Sequence, residues 1–196
     1  MNDVSKKTIG IFLPDGFADW EYGLLAASAA ENLSAKIIFL TDNTASVRSI
    51  GGLLTKGERD ASVEANTDLD ALAIIGSDIW RTTNAPQVGN LLQAVAGRGG
   101  TVGAICGATV VLAKSGLLAG RRHTSNGKDW LLEATGGYIG QSHYADQAAA
   151  VRDGAIISAS GLAPDTFAIE FLGALYPEAS EMLSEAKNMF AGEHRS

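Results

Sequence analysis

Two side chains in this sequence have the chemistry of a nucleophilic site, the thiol of Cys106 and the carboxyl of Glu21. Cys106 is the only cysteine among 196 residues, and it directly follows a short apolar run, 101–105, that is typical of a buried strand. A helix-like segment begins just after it, so the cysteine is predicted at a strand-to-helix turn. Ala104 and Ala108 stand two positions to either side, as small residues do in the nucleophile elbow of hydrolases. Backbone N–H groups and the helix dipole at such a turn favour a thiolate.

Both residues also have a purely structural interpretation. A free cysteine is often a small buried hydrophobe, and an acid in the first turn of a helix often only complements the helix dipole. Local sequence leaves these alternatives open for Cys106 and for Glu21. The decision depends on what the rest of the chain brings near them.

Apolar strand-like runs alternate with helix-like segments through the first two thirds of the chain. The pattern predicts strands at 7–13, 35–41, 70–75 and 101–105, helices at 17–30, 86–96 and 107–114, and either a hairpin or a short excursion at 46–55. Uninterrupted apolar strands that alternate with helices indicate a parallel sheet covered on both faces. Sites in such sheets form at the carboxyl ends of the strands, where Asp15 to Glu21, Gly76 to Trp80 and Cys106 should emerge together.

The last third of the chain predicts one more hairpin and further helices. The dipeptide Asp153-Gly154 between two apolar runs, 148–152 and 155–159, is a strong hairpin signal. Helices are predicted at 128–134, 165–175 and 177–190. We find no repeat or linker, and residues 1–196 are expected to form a single domain.

Composition excludes several classes of partner and cofactor. A net charge of -7 argues against a nucleic-acid phosphate partner. No apolar run approaches the length of a membrane span, and no signal-peptide pattern is present, so we expect no membrane contact and a cytoplasmic protein. The three histidines share no ligand spacing, and no glycine-rich phosphate loop follows a strand. We therefore expect neither a metal nor a cofactor; His123 and His143 remain candidate bases for Cys106.

The order of these elements and motifs resembles the ThiJ/PfpI superfamily over nearly the whole chain. The matching segments are 17–21 (FADWE), 70–76 (DALAIIG), 104–108 (AICGA), 116–122 (GLLAGRR) and 158–161 (SASG). The resemblance implies a flavodoxin-like three-layer α/β sandwich with a mostly parallel central sheet, which commonly forms a homodimer. It also implies that Cys106 is nucleophilic and oxidisable, and that Glu21 contacts it.

The resemblance implies a cysteine-dependent enzyme, similar to an amidase, glyoxalase or deglycase, that acts on a small electrophilic carbonyl substrate. In this role the backbone amides of Gly76, Ser77 and Gly107 would hold an oxyanion. The alternative is a non-catalytic, redox-responsive or stress-related protein that uses reversible oxidation of Cys106.

One position departs from the superfamily in a way that affects catalysis. Many members have a histidine twenty residues after the cysteine, where this chain has Asn126. We expect Asn126 to lie near Cys106 but not to act as a base, since a carboxamide has no useful basicity near neutral pH. For the pair of Glu21 and Cys106, the sequence predicts one shared proton, with the cysteine pKa lowered and the glutamate pKa raised.

Overall fold

In the computed structural model, which describes residues 6–192, strands and helices follow one another in the predicted order. The strands are β1 (Thr8–Phe12), β2 (Lys36–Leu40), β3 (Ser46–Arg48), β4 (Leu54–Lys56), β5 (Ala71–Ile74), β6 (Thr101–Ile105), β7 (Val151–Asp153) and β8 (Ile156–Ala159). The α-helices are α1 (Asp19–Leu33), α2 (Gly89–Gly97), α3 (Thr109–Lys114), α4 (Lys128–Thr135), α5 (Pro164–Leu175) and α6 (Ser180–Gly192).

The central sheet has six strands in the order β2-β1-β5-β6-β8-β7. Every pairing is parallel except that of β7 with β8, which is antiparallel. This confirms the predicted α/β fold with a mostly parallel sheet. Strand β6 lies between β5 and β8, so the residue that follows it emerges at the centre of the carboxyl edge.

Side chains of the central strands alternate between two hydrophobic clusters, one on each face of the sheet. In β5, Ala71 and Ala73 belong to the cluster that includes α1 and α5, whereas Leu72 and Ile74 belong to the cluster that includes α2 and α3. This alternation follows from the two-residue period of a strand. The small residues lie on the face that receives α5, and their size leaves room for its large aromatic side chains.

Several predicted boundaries differ from the structure. Helix α2 begins at Gly89, not at Pro86, and the helix after Cys106 begins with a 3₁₀ turn over residues 106–108. In the β7–β8 hairpin Asp153 pairs with Ile156, so the loop consists of residues 154 and 155. Gly154 takes the first loop position with a φ of 62°, a conformation that glycine adopts without steric cost.

The predicted hairpin at 46–55 is confirmed as the antiparallel pair β3–β4, which lies outside the central sheet. Among residues 6–192 no helix combines the length and the apolarity that crossing a membrane requires.

Close packing of α5 on β6 gives the first testable prediction. A Cβ atom at Gly103 would lie 2.8 Å from Phe171 Cδ2 and 3.0 Å from Phe167 Cε2. Because overpacking a rigid core forces neighbouring side chains from their positions, we expect Gly103→Ala to lower the free energy of unfolding by about 1–3 kcal/mol. Urea unfolding measures the change.

The matched control is Gly23→Ala in α1, where an added Cβ meets no atom within 4 Å. Alanine favours a helix interior over glycine by about 1 kcal/mol, so this variant should be at least as stable as wild type. Equal stability of the Gly103 variant and wild type would contradict the tight approach of α5 to β6.

Candidate active site

Cys106 occupies the turn between β6 and α3 in a strained conformation. Its φ of 57° lies in the left-handed region, which is uncommon for residues with a Cβ atom. The side chain is partly exposed, and Ala104 and Ala108 on either side of the turn are fully buried. At Gly107 a Cβ atom would lie 2.5 Å from the carbonyl oxygen of Ser77. The close approach of the β5 loop therefore requires glycine directly after the cysteine.

Glu21 lies in the first turns of α1 with its carboxyl group fully buried at the same edge of the sheet. Its Oε2 accepts a hydrogen bond of 2.7 Å from the N–H of Gly76. Its Oε1 is buried and has no hydrogen-bond partner within residues 6–192. One oxygen is thus fixed by the backbone, and the other is left to interact with the thiol beside it.

Two glycines make the space in which Glu21 and Cys106 meet. A Cβ atom at Gly76 would lie 2.6 Å from both Cys106 Cβ and Glu21 Oε2. At Gly161 a Cβ atom would lie 2.8 Å from Cys106 Sγ and 3.2 Å from Glu21 Oε1. Any larger side chain at either position would separate the thiol from the carboxyl group.

Asn126 lies on the open side of the cysteine, with its amide held in one orientation. Its Oδ1 accepts a hydrogen bond of 2.9 Å from the N–H of Gly161, and its Nδ2 donates to Cys106 Sγ at 3.3 Å. Gly161 also accepts a hydrogen bond of 3.0 Å from Trp20 Nε1 through its carbonyl oxygen. No site role was assigned to Gly161 or Trp20 from the sequence, although the glycine lies two residues after β8, which ends at this edge.

The predicted oxyanion donors need one correction. The N–H of Gly76 donates to Glu21 and is therefore not free to bind an oxyanion. The N–H of Ser77 has no acceptor in the part of the chain that the structure describes, while the Ser77 hydroxyl donates to the carbonyl oxygen of Asp15. The backbone amide of Gly107 lowers the pKa of Cys106 and so favours the thiolate.

Neither candidate histidine contacts Cys106 among the described residues. His123 is fully buried; its Nδ1 is 2.8 Å from the carbonyl oxygen of Arg121, and its Nε2 is 2.6 Å from the hydroxyl of Tyr138. Because a carbonyl can only accept, Nδ1 bears the proton and Nε2 accepts from the tyrosine. Burial also lowers the pKa of His123, which keeps the ring neutral. His143 is exposed and contacts Ser142.

Burial raises the pKa of Glu21 to about 7, with the hydrogen bond from Gly76 and the neighbouring Cys106 thiol acting in the opposite direction. Burial also raises the pKa of the Cys106 thiol, and the negative charge of Glu21 adds to this effect. The hydrogen bonds from Asn126 and from the Gly107 amide oppose it. The raised glutamate pKa agrees with the sequence-based prediction, whereas the prediction of a lowered cysteine pKa is wrong in direction. Burial and the charge of Glu21 outweigh the hydrogen bonds that favour the thiolate.

Fold and site together define an α/β protein with an elbow cysteine paired to a buried acid. The chain belongs to the DJ-1/PfpI family, since a sequence model of that family matches residues 7–174. This confirms the resemblance found in the sequence.

Similar proteins support this assignment. An uncharacterized protease, YoaZ, of Bacillus subtilis (strain 168) is 34% identical over 182 residues, which cover 86% of this chain and 83% of that protein. The crystal structure of a DJ-1 superfamily protein from Agrobacterium tumefaciens is 37% identical with a TM-score of 0.84, covering 96% of this chain and 100% of that one. Drosophila melanogaster DJ-1beta, at 22% identity and a TM-score of 0.71 over 95% and 98% of the two chains, shares the fold.

Burial of Glu21 predicts an unusual pH dependence of stability. The folded state binds this proton more tightly than the unfolded state, since the pKa is about 7 instead of 4.5. The resulting stabilisation is complete below pH 4.5 and is lost as the pH rises through 7, by about 3 kcal/mol in all. Glu21→Gln should remove this slope, and urea unfolding at pH 5 and pH 8 measures it. The control is Glu31→Gln, since Glu31 is exposed on the same helix. An equal change in the free energy of unfolding between pH 5 and pH 8 in wild type, Glu21→Gln and Glu31→Gln would contradict the prediction.

The same pair predicts how Cys106 titrates. Glu21→Gln removes the negative charge beside the sulfur but keeps an acceptor for the N–H of Gly76, so it should lower the cysteine pKa below that of wild type. The rate of labelling by iodoacetamide as a function of pH reports this directly, because the chain has a single cysteine. Superimposable profiles would mean that the charge on Glu21 does not affect the thiol.

Proposed function

We propose that this protein is a cysteine-dependent enzyme of the hydrolase or lyase type that acts on a small electrophilic carbonyl compound, as an amidase, glyoxalase or deglycase does. The main support is the contact of a partly exposed elbow cysteine with a buried carboxyl group whose pKa is about 7. A group with a pKa near the working pH is best suited to accept a proton and return it within one reaction cycle.

The first step is addition of the thiol to the carbonyl carbon. Glu21 takes the proton from Cys106, the sulfur forms a bond to the carbon, and the electron pair of the C=O double bond moves to oxygen. The free N–H of Ser77 and the amide of Asn126 are the groups proposed to stabilise that oxygen. Glu21 then returns its proton to the oxygen of the adduct, or to an amine leaving group when the substrate is an amide.

A second candidate is a redox-responsive protein in which peroxide oxidises Cys106 to a sulfenic acid and is itself reduced to water. One observation favours it: within residues 6–192 no histidine contacts the cysteine, whereas many cysteine hydrolases use a histidine as the base. The donors from Asn126 and Gly107 would stabilise an oxidised sulfur as they would a thiolate.

The proposed setting is a cytoplasmic homodimer with a small-molecule substrate and no nucleic acid. Support for the dimer comes from large apolar side chains exposed near the site, since such patches mark interaction surfaces. Leu162 is 95% exposed and Trp20 is 52% exposed. The two residues lie close together, because Trp20 Nε1 donates a hydrogen bond to the carbonyl oxygen of Gly161, which directly precedes Leu162. Ile50 and Leu54, in and beside the β3–β4 hairpin, are also exposed large apolar residues.

The test is incubation with methylglyoxal and with a panel of small amides and esters. We expect turnover by wild type that is abolished in Cys106→Ala and reduced by about 10²-fold or more in Glu21→Gln, because the proton transfer is then lost. Glu31→Gln should retain wild-type turnover. Turnover that persists in Cys106→Ala would exclude the proposed nucleophile, and consumption of one equivalent of peroxide without turnover would favour the redox candidate.

A further inference from the structure

The segment that presents Asn126 to the cysteine belongs to no helix or strand. Residues 124–126 lie between the turn after α3 and the start of α4. The residue before them, His123, forms an isolated β-bridge with Tyr144. A backbone without a ladder of hydrogen bonds has no fixed position of its own. Other contacts must therefore set the distance between the Asn126 amide and Cys106 Sγ.

A pair of buried hydroxyl groups supplies one such contact. Thr109 Oγ1 donates a hydrogen bond of 2.7 Å to the carbonyl oxygen of Cys106, and it lies 2.6 Å from Ser125 Oγ. Since the proton of the threonine hydroxyl is used on the carbonyl, Ser125 is the donor in the second bond. Thr109 is fully buried and Ser125 is 4% exposed, so water cannot easily replace either partner.

These bonds close a ring around the cysteine. Ser125 is tied through Thr109 to the backbone carbonyl of Cys106, and the next residue, Asn126, is tied to the sulfur of Cys106. The hydroxyl of Tyr144 adds a weaker bond of 3.3 Å to the carbonyl oxygen of Ser125. The position of residue 125 therefore fixes where the side chain of residue 126 begins.

We propose that Ser125 and Thr109 are positioning residues that hold the Asn126 amide against Cys106 Sγ and thereby set the reactivity of the thiol. Neither residue touches the reacting atoms; both act through Asn126. The significance of this arrangement for catalysis rests on the proposed function. The arrangement itself is tested by alkylation of the cysteine, which needs no substrate turnover, so the two proposals can fail separately.

The experiment measures the rate and pH profile of iodoacetamide labelling in single and double variants. Removing a hydroxyl by Ser125→Ala or by the nearly isosteric Thr109→Val weakens the donation from Asn126 to sulfur. Because this donation favours the thiolate, labelling at pH 8 should slow by about 2–10-fold, as for loss of one hydrogen bond, and its midpoint should move to higher pH. Thr109→Ser keeps the hydroxyl and should retain the wild-type profile.

The decisive comparison adds Ser125→Ala to Asn126→Ala. If Ser125 acts through Asn126, the double variant should label at the same rate as Asn126→Ala alone. A further slowing of similar size in the double variant would overturn the proposal, as would a wild-type profile in both Ser125→Ala and Thr109→Val. Ser115→Ala is the control, since its hydroxyl bonds locally to Leu112 at the end of α3. Thermal melting checks that each variant is folded. Ser125→Ala and Thr109→Val each remove one partner of the hydrogen bond between Ser125 and Thr109, so they test this bond independently.

Discussion

The contact between the buried carboxyl group of Glu21 and the thiol of Cys106 is the constraint on which the rest of this site depends. It exists because Gly76 and Gly161 have no side chains, so two strand ends can approach the pair from both sides. Burial without a charged partner makes the carboxylate costly, and the glutamate pKa rises to about 7. The close approach of the backbone at Gly76 and Gly161 therefore gives Glu21 a pKa suited to proton transfer with the thiol.

The thiol is subject to opposing effects in this contact. The Asn126 amide and the Gly107 N–H favour a negative sulfur, whereas burial and the charge of Glu21 oppose it, and the opposing effects are larger. Proton exchange between carboxyl and thiol therefore controls the charge on sulfur, and the surrounding hydrogen bonds adjust it.

The supports of the site are distributed over four separate parts of the chain. Glu21 comes from α1, the Gly76 amide from the loop after β5, Asn126 from the irregular segment before α4, and Gly161 from the loop after β8. Each lies at the carboxyl edge of the sheet because the strands are parallel, which brings successive loops to the same edge. Hydrogen bonds between loops, not within them, give the site its fixed geometry.

Hydrophobic periodicity and the small residues at a turn are local signals, so the order of strands and helices and the elbow position of Cys106 could be predicted from the sequence. The family was indicated by the resemblance of the chain's motifs to those of known members. The sequence also indicated that Asn126 replaces the histidine of many relatives. The folded structure was needed to show that the Gly76 amide donates to Glu21, that His123 bonds to Tyr138 and not to the cysteine, and that the thiol pKa is raised. These properties depend on burial and on partners distant in sequence, which local patterns do not encode.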